Sequence, residues 1–137
     1  MIIIATNKEE ISKAAIDVFS FCHMFFGFIL YLVTISIIIT LFGIALHLIC
    51  LGCIIFYSIF WELLENFLLI KVDLKFGKRK DSIINSFMDL CFFSLGGVIS
   101  MFNLIFGFTL FLITILTLLT GLIIIFYVYA KKILKII

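Results

Sequence analysis

The chain has 137 residues, 66% of them hydrophobic and only 13% charged, with a formal net charge of +2. Soluble domains run nearer half apolar and a quarter charged, and a chain this short has too little interior to hide such a surface from water. An ordinary soluble domain and a disordered chain are both excluded, the length admits one domain at most, and the solvent must be lipid.

In chain order, Thr6 with Glu9 predicts a helix-capping box. Lys8 to Asp17 predicts a short amphipathic start with Ile11, Ala14, Ala15 and Val18 on one side, running into the first span. Glu9 and Glu10 and the lack of a short apolar core before a small-residue site argue against a cleavable signal peptide. No Asp, Glu, Lys or Arg lies between Asp17 and Glu62, nor between Asp89 and Lys131. Each stretch is about twice the roughly 20 residues that cross a bilayer as a helix, so each predicts a helical hairpin. The predicted spans are 18–38, 44–69, 81–102 and 106–130, joined by the 70–80 loop. Unbroken apolar runs such as Leu122 to Val128 do not alternate as barrel strands would. Thr40 and Gly43 are the only turn hints in the first hairpin, and the second turns near Asn103 to Gly107. The fold class is all-α, an integral membrane four-helix bundle.

The basic residues are Lys8, Lys13, Lys71, Lys75, Lys78, Arg79, Lys80, Lys131, Lys132 and Lys135. With four spans they fall on one side, which the positive-inside rule makes cytoplasmic. The expectation is a multi-pass cell-membrane protein with both termini cytoplasmic.

Polar residues inside lipid are costly and face protein or water. Glu62 lies nine residues before Lys71, Asp89 nine after Lys80, and His23 ten after Lys13. At 1.5 Å per residue these groups sit roughly 13–15 Å along three spans, at one depth in the cytoplasmic half. Glu62, Glu65 and Asn66 share one helix face. Asp81, Asn85 and Asp89 step by four, bordered by Ser82 and Ser86, and Gly96 extends their stripe as a place of close helix approach. Four carboxylates with no Lys or Arg inside a span would repel one another. Three resolutions stand open: protonated carboxylates bonded to Asn66, Asn85 or the serines; carboxylates reaching Lys71, Arg79 or Lys80; or a divalent cation held by Glu62, Glu65 and Asp89, with His23 as a further ligand. Oxygen donors favour Mg, Ca or Mn, and imidazole shifts the choice toward Zn or Fe. The bland alternative is a hydrated vestibule for the shallower Glu65, Asn66, Asp81 and Asn85, and a packing histidine for His23.

The run Trp61-Glu62-Leu63-Leu64-Glu65-Asn66, followed by Asp81-Ser82-Ile83-Ile84-Asn85-Ser86-Phe87-Met88-Asp89, resembles a family of small bacterial membrane proteins classed as a domain of unknown function (2585 type), with a wider likeness to VanZ-like proteins. The family pattern is Trp-Glu-x-x-Glu-Asn, a short loop, then Gly-Asp-Ser-x-x-Asn-Ser-x-x-Asp. Upstream it carries Ser-His-x-x-His-Gly and an apolar run with Tyr, matched by Cys22-His23-Met24-Phe25-Phe26-Gly27 and Tyr31. Lys80 stands where the family has Gly, Cys22 replaces Ser, and Phe26 replaces the second His, which weakens any role of that His here. The likeness covers roughly residues 22–97. It implies no activity, only that these residues form one shared feature.

His47-x-x-Cys50-x-x-Cys53 has metal-like spacing, but steps of three drift about 60° each on a helix, and no second pair completes a zinc set. The intramembrane cysteines imply no disulfide framework. The loop residues Lys71, Lys78, Arg79 and Lys80 suit an anionic lipid headgroup, although topology alone also accounts for them. No nucleotide loop, catalytic triad or zincin helix is present, and nothing points to nucleic acid. Three readings remain: cation- or proton-linked binding or transport of a small or lipid-like ligand; a structural subunit, as a homo-oligomer or in a membrane complex; and, last, a membrane enzyme on a lipid substrate.

Overall fold

The computed structural model describes residues 2–7, 9–72, 75 and 79–131. Four helices dominate: α1 (Val18–Phe42), α2 (His47–Leu63), α3 (Ile83–Phe106) and α4 (Phe108–Tyr129). Each is long and apolar enough to cross a membrane, α2 when joined to the π-helical segment Leu64–Leu69 that continues it. Among the described residues there is no strand beyond one isolated bridge. The chain is a multi-pass, all-α membrane protein.

The turns fall where glycine permits them. Gly43 takes a left-handed φ of 70° and closes α1 by donating to the Ile39 carbonyl, a conformation glycine adopts without steric cost. Gly107, at φ 107°, is the single residue between α3 and α4.

Helices α1 and α3 form the tightest pair. A Cβ added at Gly27 would meet the Phe93 carbonyl oxygen, and one at Gly96 the Met24 carbonyl oxygen. Each glycine therefore lies directly against the other helix's backbone, the small-residue packing that holds helices together in lipid. Tyr31, Ile35, Ile38, Cys50, Ile54 and Phe93 form the main core between α1, α2 and α3. Helix α4 is peripheral: of its described side chains only Tyr129 is buried. Thr114 anchors it by donating to Asn103 Oδ1 at 3.0 Å.

The segment before α1 is not the expected amphipathic helix. Residues 9–15 are turns and bends, and Ile4 pairs with Ile16 in a parallel bridge. The Thr6 capping box with Glu9 is also absent. The Thr6 N–H and hydroxyl both donate to Glu10 (2.7 and 2.9 Å), and these bonds hold the Glu10 carboxyl below the usual carboxylate range. The helix cap is Asp17, which accepts the Phe19 and Ser20 N–H groups, while the Asp17 N–H donates to Ser20 Oγ. Asp17 also accepts the Ser12 N–H at 3.1 Å, with Ser12 at a left-handed φ of 66°. That residue breaks any continuous helix. Ile11, Ala14, Ala15 and Val18 are nevertheless all buried, so the spacing did mark an inward face, folded as a hook. The hook is tied to α3 by the Ser82 N–H donating to the Ser12 carbonyl (2.7 Å) and by Ser82 Oγ donating to that of Lys13 (3.2 Å).

Candidate functional site

Three elements bring the polar residues together. Helix α1 carries His23, the end of α2 and the π segment carry Trp61, Glu62, Glu65 and Asn66, and Asp81 to Asp89 enter α3. The π segment has a local cause: Asn66 Nδ2 donates to the Glu62 carbonyl at 3.1 Å, the acceptor that the Asn66 N–H would take in a regular α-helix. A side chain inserted into the backbone ladder distorts it, and π-helical turns are frequent at functional sites.

His23 stands between two carboxylates. Its Nδ1 is 3.7 Å from Glu62 Oε1, and its Nε2 is 3.7 Å from Glu65 Oε2. Among the described residues, His23, Glu62 and Glu65 are a set whose ligand atoms all lie within 4.8 Å of one another. His23 is 6% exposed and Glu62 7%. Among the described residues, Glu62 Oε1 is buried with no hydrogen-bond partner. Its other oxygen accepts from Asn66 Nδ2 at 3.2 Å. Glu65 is held on both sides: Trp61 Nε1 donates to Oε2 at 3.1 Å, and Lys75 Nζ lies 3.6 Å from Oε1.

Lys75 resolves much of the charge conflict read from the sequence. This loop lysine is 5% exposed. Its ammonium donates to Asn66 Oδ1 at 2.9 Å and pairs closely with Asp81. Asn66 Oδ1 also accepts the Asp81 N–H at 2.8 Å, so one amide joins the loop lysine to the entry of α3. The cations first considered as partners sit elsewhere. Arg79 donates to the Glu9 carbonyl, Lys80 lies 4.6 Å over the Phe67 ring, and Lys71 is exposed. Lys78 lies outside the described residues.

Asp89 belongs to a neighbouring cluster. Its Oδ1 accepts the Ser20 hydroxyl at 2.5 Å, and Asn85 Nδ2 reaches Asp17 at 3.5 Å. Of the four residues expected around a cation, His23, Glu62 and Glu65 come together, and Asp89 lies with Ser20 instead. Both clusters line one cavity of about 220 Å³, with His23, Glu65, Lys75, Asp81, Asn85 and Asp89 in its wall. Phe26 packs near Trp61 with centroids 6.4 Å apart. The His47 series stays apart: His47 Nδ1 bonds the Tyr31 hydroxyl at 2.7 Å, Cys50 is a core residue, and all four cysteines are free.

Sequence reasoning missed Lys75, Asp17, Ser20 and Trp61 as site members. Asp17-Val18-Phe19-Ser20 carries a capping spacing that marks two of them. The apolar neighbours Leu74 and Phe76 set Lys75 apart from the other loop lysines.

The family model described as "Protein of unknown function (DUF2585)" matches residues 2–135. The chain belongs to that family. Membership in DUF2585 therefore spans the hook, both polar clusters and all four helices. No curated protein and no solved structure matches the chain.

Proposed function

We propose that this DUF2585 member lies in the cell membrane with both termini cytoplasmic, and that its polar pocket binds a cation, linked to binding or transport of a small or lipid-like ligand. The observation that carries the reading is Glu62 Oε1, a buried carboxylate oxygen with no hydrogen-bond partner among the described residues, 3.7 Å from His23 Nδ1. A carboxylate oxygen left bare in a low dielectric is expensive, and a cation is the ligand that relieves it. His23, Glu62 and Glu65 would supply one nitrogen and two carboxylate donors, a set that suits Zn, Mn or Fe better than Mg or Ca. Trp61 and Lys75 would fix the orientation of Glu65, as outer partners orient metal ligands. The distribution of basic residues supports the orientation, and the wider VanZ-like likeness rests on the same Trp-Glu and Asp-Ser runs.

The test is elemental mass spectrometry of the protein purified in mild detergent, wild type beside Glu62→Gln. The reading expects about one divalent metal per chain, lost in the variant while helix content is kept. No metal in either protein would overturn it and leave the cluster as hydrogen-bonded cement between helices.

A further inference from the structure

A second opening reaches the same carboxylates from the bilayer side. Between the π segment and α3 runs a cleft of about 470 Å³, within the range of ligand pockets. Its apolar wall is Leu63, Phe67, Ile83, Phe87 and Leu90, and the first four of these are exposed. Apart from Lys80 and Asp81, which precede α3, its lining residues belong to helices long and apolar enough to cross a membrane, so an acyl chain is what meets the apolar wall. Its polar wall carries both signs of charge: Lys80 on one hand, Asp81 and Glu62 on the other, together with Asn66 and Ser86. Lys80 Nζ is held over the Phe67 ring at 4.6 Å, and the π segment itself presents Asn66 and Phe67 to the cleft.

We propose that this cleft binds a phospholipid whose headgroup joins a phosphate to a primary ammonium, that is, phosphatidylethanolamine, with its phosphate at Lys80 and its ammonium toward Glu62 and Ser86, Asp81 being already paired with Lys75. Charge complementarity selects it. A purely anionic headgroup would place its charge beside Glu62, the carboxylate of the wall that Lys75 does not pair. A choline headgroup has no N–H to donate, whereas an ammonium offers three donors to carboxylate and hydroxyl acceptors. The inference rests on the lipid-like ligand of the proposed function and names its class. The cleft shares Asp81 with the inner cavity and reaches Glu62, which places lipid and cation on two sides of one carboxylate group.

The experiment is native mass spectrometry of the full chain in detergent, titrated separately with phosphatidylethanolamine, phosphatidylcholine and phosphatidylglycerol of identical chains. Wild type is expected to bind phosphatidylethanolamine about tenfold or more tightly than the other two. Lys80→Gln and Ser86→Leu should each lose that preference, with helix content by circular dichroism unchanged. Equal affinity for all three lipids, a preference for phosphatidylglycerol, or a preference kept in both variants would each overturn the proposal. Metal content read on the same samples separates the two ideas. Ethanolamine selectivity without metal sinks the cation site alone, and metal without selectivity sinks the lipid site alone.

Discussion

Lys75 shows how one side chain changes the electrostatics of a membrane pocket. It supplies an ammonium to a group of carboxylates whose own helices carry no cation, and it contacts Asn66, Asp81 and Glu65 at once. Breaking a buried ion pair by removing one partner costs about 3–5 kcal/mol, because the remaining charge stays behind. Lys75→Met should therefore destabilise the protein by about that amount in reversible unfolding from mixed micelles, and a loss below about 1 kcal/mol would mean the ammonium is incidental. His23 and Glu62 were read from distance along a helix, which converts into depth, and Asn66 from the helix face it shares with Glu62. Lys75 was not: it lies in the loop, where no periodicity fixes depth, among other basic residues that satisfy the topology equally well. Asp89 was read from its place on the α3 stripe, and the bond it accepts from Ser20 on the facing helix is one that no stripe encodes.

At the scale of elements, the charge-free stretches located the hairpins, because a helix in lipid must satisfy its own backbone. The π segment escaped notice, since its cause is a side-chain bond from Asn66 to the Glu62 carbonyl that no hydrophobic pattern encodes. The hook escaped for a different reason: apolar residues spaced three and four apart bury equally well in compact turns once Asp17 caps α1 and ties back Ser12. The stripe that led to Gly96 proved informative. A valine there would drive its Cβ into the Met24 carbonyl oxygen, a backbone atom that cannot swing aside. Gly96→Val should cost about 2 kcal/mol or more through overpacking. Gly121 has no atom within 4 Å of an added Cβ, so Gly121→Ala should be neutral or stabilise by about 0.5 kcal/mol. Thermal unfolding of the two variants side by side checks the pair, and equal effects would contradict the close α1–α3 contact.

The molecule as a whole is a tight α1–α3 pair with α2 packed on it and α4 loosely attached at the rim. In the proposed orientation the turns at Gly43 and Gly107 face away from the cytoplasm. Compartment-sensitive reporters inserted at Gly43 and joined after Ile137 should report opposite sides, and reporters on one side would refute the arrangement. The hook adds an order of events to this architecture. Its carbonyl groups at Ser12 and Lys13 are met by Ser82, 69 residues beyond Lys13. During synthesis the amino-terminal stretch emerges first, yet its partner appears only after the first hairpin has been threaded into the bilayer. The segment before α1 can therefore make these bonds only after Ser82 has been synthesised, a clasp that closes once the third helix has arrived.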